Sequence, residues 1–213
     1  SMAGDDEITI ESSVTPGSIN NIDTGANNDR IDVHSPESVA SLIVGGEGTD
    51  ILGITNSNQE LTLDILDSSI ETLDGNNLSN TLAGESASDN VWTITGASSG
   101  HILGVNFINF DTLKGGDELD NYVLATTESG NMLFDGAGGV NTITGGDNST
   151  TWNVLTANAG NVSGFTFQNI NNLLGGTGVD KVYVYDAIDS ISTGDGNDEV
   201  TISDLVAVDA ITS

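Results

Sequence analysis

Cysteine is absent from the 213 residues, so the chain holds neither a disulfide framework nor a thiolate metal site. Basic side chains are almost absent too: Arg30, Lys114 and Lys181 stand against 32 Asp and Glu, for a formal net charge of −29. A surface of that sign repels nucleic acid and anionic membrane, and neither is expected as a partner. With only two histidines, His34 and His101, a zinc site has few ligands to draw on. Both fall in poorly patterned stretches away from any nucleophile motif, so no catalytic activity is expected. No apolar run approaches the roughly 18 residues of a membrane span.

What is present is glycine, 27 residues of it, and short Val/Ile/Leu runs within a 36% hydrophobic composition. High acidity with only 5% aromatic residues also characterises disordered chains. The apolar runs recur at strand length, however, which points to a chain that folds once its charge is neutralised.

The glycines gather in one kind of segment. Gly175-Gly176-Thr177-Gly178-Val179-Asp180-Lys181-Val182-Tyr183 fits the nonapeptide G-G-x-G-x-D-x-U-x, where U is a large apolar residue. Gly45-Gly46-Glu47-Gly48-Thr49-Asp50-Ile51-Leu52 is a full match, and Thr24-Gly25-Ala26-Asn27-Asn28-Asp29-Arg30-Ile31 carries Asn27 where glycine is usual. Gly115-Gly116-Asp117-Glu118-Leu119-Asp120 and Thr193-Gly194-Asp195-Gly196-Asn197-Asp198 keep the acid. Two longer forms, beginning at Asp74-Gly75 and Asp135-Gly136, end on Asn80-Thr81-Leu82 and Asn141-Thr142-Ile143.

The second glycines, at 25, 46, 75, 116, 136, 176 and 194, are separated by 21, 29, 41, 20, 40 and 18 residues, which suggests a rung of about 20. A longer period lies on top: residues 92–124 align without a gap on 152–184, with ten of 33 pairs identical, including Trp92/Trp152, Phe107/Phe167 and Asp120/Asp180. The expected organisation is an expression scar at 1–2, solenoid rungs over 3–73, repeat modules over 74–134 and 135–192, and a C-terminal rung over 193–213 that stops within a further copy. Short strands at constant spacing, turned by Gly, Asn and Asp, suit an all-β right-handed parallel β-helix or β-roll. Segments lacking an acid, Thr95-Gly96-Ala97-Ser98-Ser99-Gly100 and Thr156-Ala157-Asn158-Ala159-Gly160, read as interrupting rungs. Asp67 and Asp111 read as solvated surface. Trp92 and Trp152, at fixed places in the repeat, read as core or rung-stacking residues in preference to carbohydrate platforms.

Glycine turns expose carbonyl oxygens and each Asp adds a carboxylate, a donor set of the kind calcium takes. If rungs stack, consensus acids of successive turns meet, and like charges there repel unless a cation intervenes. The expected pairs are Asp180 with Asp198, Asp29 with Asp50, and Asp120 with the neutral Asn141. Around them the candidate ligands are Gly45, Glu47 and Gly48; Gly115 and Asp117; Gly175, Thr177 and Gly178; and Thr193, Asp195 and Gly196. The same acids have another possible use, accepting backbone N–H groups at turns.

The nonapeptides resemble those of the repeats-in-toxin (RTX) calcium-binding proteins, and the Trp-containing modules are similar to tandem segments of very large bacterial surface and secreted repeat proteins. The resemblance covers most of residues 18–213. It implies type I export, folding outside the cell on meeting Ca2+, and a role as adhesin stalk, surface layer or passenger-toxin tail. The family's rolls place nonapeptides back to back, whereas this chain has about one per rung. The expected function is a monomeric, calcium-binding structural or adhesive segment, secreted or at the cell surface, with calcium ions, a surface glycan or neighbouring repeats as partners. A carbohydrate-binding or carbohydrate-processing module is the alternative, although three basic side chains offer such a site little.

Overall fold

The computed structural model describes residues 2–66, 69–203 and 206–213; Ser1 and Asp67 lie outside them. The protein is all-β with long parallel sheets, and its only helices among the described residues are two single 3-10 turns. Among the described residues, no helix is long and apolar enough to cross a membrane. The chain forms two compact units, residues 1–84 with 101–112 and residues 85–100 with 113–213, so the boundary falls inside the first sequence module.

In the first unit, strands Glu7–Ile10, Arg30–Val33, Ile51–Ile54, Thr72–Asp74 and Val105–Ile108 pair in parallel, in that order. Their register stacks Ile8, Ile31, Leu52, Leu73 and Phe107, all but Ile8 wholly buried. Stacking like on like in this way requires an apolar side chain at the same place in every strand, as the alternation of Ile31-Asp32-Val33 supplies. A second parallel pairing joins Ile19–Ala26 to Val39–Glu47, with buried Ile22 opposite buried Ile43.

In the second unit, Asn90–Gly96, Asp120–Leu124, Thr142–Thr144, Asn172–Leu174, Ile188–Ser192 and Val208–Thr212 pair in parallel and stack Trp92, Tyr122, Ile143, Leu173, Ile191 and Ile211. The first five are buried. Trp92, Tyr122, Phe134 and Phe165 continue as a column of stacked rings with centroids 6.0, 5.1 and 5.1 Å apart. Trp152 is likewise buried, so neither tryptophan offers a face to a sugar.

The strand-to-strand steps are not uniform. In the second unit Trp92 to Tyr122 is 30 residues, Tyr122 to Ile143 is 21, Ile143 to Leu173 is 30 and Leu173 to Ile191 is 18. The 30-residue step to Leu173 contains an antiparallel meander, Thr151–Thr156, Ala159–Val162 and Phe165–Gln168. Residues 156–160 are therefore not a rung: Thr156 pairs with Ala159 across a hairpin in which Asn158 takes φ +54°. Ala97 and Ser98 of the first module form a turn between strands as well.

Candidate metal centre

The glycine turns stack directly on one another within each unit. A Cβ at Gly46 would collide with the Gly25 carbonyl of the turn before it, and Gly46 also sits at φ +105°. Gly176 has no such φ, yet a Cβ there would strike the Gly146 carbonyl. Glycine is thus demanded by the close approach of the neighbouring turn as much as by torsion.

This stacking brings together all three pairs of consensus residues. The Asp29 N–H donates to Asp50 Oδ1 at 2.8 Å, the Asp120 N–H to Asn141 Oδ1 at 3.0 Å, and the Asp180 N–H to Asp198 Oδ1 at 2.9 Å. These are links in longer ladders, in which each residue gives its N–H to the side chain of its counterpart one turn on. In the first unit the ladder runs Asp6 to Asp29 (2.8 Å), Asp29 to Asp50, and Asp50 to Glu71 Oε2 (2.7 Å). In the second, one ladder runs Asn90 to Asp120 (3.1 Å), Asp120 to Asn141, and Asn141 to Asn171 (2.9 Å); another runs Thr150 to Asp180 (2.9 Å) and on to Asp198. Asp6 and Glu71 escaped the sequence reading although they stand 23 and 21 residues from Asp29 and Asp50, nearly the same step. Asn90, Thr150 and Asn171 escaped it because their step is 30.

The second oxygen of each carboxylate separates the units. Asp120 Oδ2 accepts the Gly116 N–H at 2.8 Å, while its Oδ1 also takes the Asn90 Nδ2 amide at 2.7 Å. Asp180 Oδ2 accepts the Gly176 N–H at 3.2 Å. The Trp152 indole N–H lies near enough to favour the ionised Asp180, without forming a hydrogen bond of good geometry. In the first unit, by contrast, Oδ2 of Asp6, of Asp29 and of Asp50 is buried with no hydrogen-bond partner. The cause is local: Gly116 and Gly176 stand outside strands and turn their N–H groups inward, whereas Gly46 belongs to the strand Val39–Glu47 and pairs with Gly25.

The asparagine turns are a different device. Asn141 Nδ2 donates to the Gly136 and Gly138 carbonyls at 2.8 and 2.6 Å, and Asn80 Nδ2 to the Gly75 carbonyl at 3.2 Å. With one more residue, these turns point carbonyls inward where the Asp turns of the second unit point N–H groups, and an amide satisfies what a carboxylate cannot.

Charge follows the same division. Successive strands lie about 4.8 Å apart, so ionised acids on neighbouring turns repel by on the order of 1–3 kcal/mol per pair. The first unit sets Asp6, Asp29, Asp50 and Glu71 in succession, and Asp50 is fully covered though close under the surface. Burial first, then the charges of Glu71 and Asp29, push its carboxyl above the usual range against the Asp29 N–H. In the second unit Asn90, Asn141 and Asn171 leave Asp120 the one acid in its ladder; desolvation first, with a smaller contribution from the charge of Asp89, raises its carboxyl against its hydrogen bonds. Desolvation also raises Asp180, with a smaller contribution from Asp198.

The other candidate ligands are placed as follows. The Gly45 carbonyl accepts the Thr24 hydroxyl at 2.7 Å, and the Glu47 carbonyl accepts the Asn27 N–H at 2.6 Å. Asp117 and Asp195 give their N–H groups to the carbonyls of Ser86 and Gly176, both at 3.0 Å. Thr177 Oγ1 donates to Asp147 Oδ1 at 3.2 Å, and Thr193 is buried with its N–H on the Thr212 carbonyl. Gly175 gives its N–H to the Ser192 carbonyl, Gly115 to the Asp135 carbonyl, and Gly48, Gly178 and Gly196 pack against Asn27, Asn148 and Gly178 of the adjacent turns. Among the described residues, no three His, Asp or Glu side chains converge in a way that would hold a metal. An ion in the first unit would therefore be held by carboxylates from adjacent turns together with backbone carbonyls. The unpartnered oxygens fit that role, being hard, anionic and already desolvated.

Away from the turns, Arg30 is clasped by Asp32 (2.9 Å) and lies 3.7 Å from Asp74. His34 Nδ1 accepts the Ser12 N–H at 3.2 Å beside Glu11. Set against known family models, curated proteins and solved structures, the chain matches none.

Proposed function

We propose that the chain is a calcium-binding structural or adhesive repeat segment of a large secreted or cell-surface bacterial protein, of the repeats-in-toxin kind, without catalytic activity of its own. In this reading the parallel sheets wind as a right-handed β-helix or β-roll that rigidifies when Ca2+ neutralises its turns. The observation that carries it is the run of buried carboxylate oxygens without partners, Oδ2 of Asp6, Asp29 and Asp50, on successive turns of an acidic ladder. A buried, ionised, unpaired oxygen is costly, and a divalent cation relieves both the desolvation and the repulsion. Extracellular calcium modules bind with dissociation constants of ~10⁻⁴–10⁻³ M. At calcium several times that value, each site adds on the order of 1 kcal/mol to the folded state. Far-UV circular dichroism and thermal melting with 5-fold excess chelator and then with millimolar calcium test this. Strand signal and melting temperature should rise on adding calcium, and an unchanged melt would sink the reading.

One observation favours a second reading, a carbohydrate-binding module. An open cleft in the second unit is lined by Asn121, Thr142, Thr144, Asn172 and Leu174, a row of amides and hydroxyls with an apolar edge. Binding on a glycan array, abolished by Asn172→Ala with the fold intact, would support it.

A further inference from the structure

We propose that cation binding is confined to the turn stack of the first unit, between adjacent pairs of Asp6, Asp29 and Asp50, and that the other turn fitting the consensus in full, residues 175–183, is a metal-free staple. This rests on the reading above that the chain binds calcium, and it narrows where.

In the first unit Asp29 and Asp50 each spend Oδ1 on the N–H of the preceding turn, that of Asp6 and that of Asp29. Oδ2 of Asp6, of Asp29 and of Asp50 is buried and unpartnered, so a cation coordinates there without breaking a hydrogen bond. An open cleft lined by Asp5, Asp6, Asn28, Asp29, Arg30 and Thr49 lies beside the first two of these acids. In the second unit the corresponding oxygens are taken: Oδ2 of Asp120 by the Gly116 N–H and Oδ2 of Asp180 by the Gly176 N–H. A cation there must share an oxygen whose charge an N–H already stabilises, at Gly116 a buried one, so it meets a carboxylate that is less in need of it. Around Asp120 it also gains less, because the ladder neighbours Asn90, Asn141 and Asn171 are neutral, whereas Asp180 keeps one acidic neighbour in Asp198. The donors are oxygen only, with no His or Cys among them, which suits Ca2+ and not Zn2+. Consensus spelling and cation binding are thus separated here: G-G-x-G-x-D specifies a stackable turn, and whether the turn binds depends on where its second glycine sends its N–H.

The test uses the full chain and CaCl2. Calcium titrated into 15N-labelled wild-type protein should shift the amide signals of Asp6, Asp29 and Asp50 and leave those of Gly176, Asp180 and Asp198 in place. By calorimetry, Asp29→Asn and Asp50→Asn should each weaken binding on the order of tenfold or more, since each removes an anionic ligand. Asp180→Asn and Asp198→Asn should keep the wild-type affinity and stoichiometry. Shifts centred on residues 175–198, or stoichiometry lost in Asp180→Asn, overturn the inference while the chain remains a calcium binder. No heat and no shift at about 10 mM calcium, beyond the range of extracellular modules, overturns the proposed function as well. The wild-type spectra decide the matter even if a variant fails to fold.

Discussion

The two units use the same turn for opposite ends. In the first, four acids follow one another up the ladder and three of them keep a buried oxygen without a donor. In the second, one ladder sets amides around a single acid, Asp120, the other sets Asp180 beside Asp198, and the carboxylates of Asp120 and Asp180 accept inward N–H groups. The difference lies in one peptide group, that of the second glycine, which is strand in Gly46 and turn in Gly116 and Gly176. A repeat can keep its glycines and its Asp while exchanging a carboxylate with an unpartnered oxygen for one that closes on itself.

The most severe way to break the comparison is through the core of the second unit. Tyr122 is wholly buried in the ring column and its hydroxyl donates a hydrogen bond to the Asp135 carbonyl at 2.7 Å. Tyr122→Ala should cost about 3–5 kcal/mol by chemical denaturation, equally with calcium and with chelator. If calcium restored the loss, the independence of the second unit from cations would fail.

A single kind of substitution then sharpens the contrast. Asp120→Asn places an NH2 where the Gly116 N–H or the Asn90 N–H now finds an acceptor, whichever way the amide turns. It should destabilise by about 1–3 kcal/mol, regardless of calcium. Asp50→Asn meets no donor at Oδ2 and removes the charge between Asp29 and Glu71. It should raise cation-free stability by about 1 kcal/mol and lose most of the gain from calcium. Both are read from melts in paired buffers; the same sign in both positions would contradict the division.

That three consensus pairs would meet was legible in the sequence, because steps of 18 to 21 residues match one strand-to-strand advance in these sheets. The 30-residue steps were not. The hairpin at Ala157-Asn158 uses the same vocabulary of Gly, Asn and Thr as a rung, and only its pairing of Thr156 with Ala159 shows that the chain doubles back. Nor was the fate of each second oxygen legible, since Gly46, Gly116 and Gly176 are identical as letters and differ in whether a neighbouring strand claims their backbone. The buried tryptophans were readable from their place in the repeat; that the Trp152 indole would lie beside Asp180 was not.

The smallest effect concerns pH. Burial raises the Asp120 and Asp180 carboxyls, so in the folded state each holds its proton to higher pH than in the unfolded chain. Between the unfolded and folded values the native state binds more protons, and stability falls as pH rises through that window. With chelator present, the melting temperature should therefore climb as pH is lowered from 7 into the window just above the ordinary carboxylate range. A steady fall over that interval would mean that the hydrogen bonds at these acids outweigh their desolvation.

The most direct measurement is amide hydrogen exchange on the full chain, with and without calcium, resolved to the ladder N–H groups. Calcium should slow exchange at Asp6, Asp29 and Asp50 and leave Asn90, Asp120, Asn141 and Asp180 unchanged. Protection gained equally in both units, or only at Asp120 and Asp180, would contradict the claim that the unpartnered carboxylates of the first unit are where the ion acts.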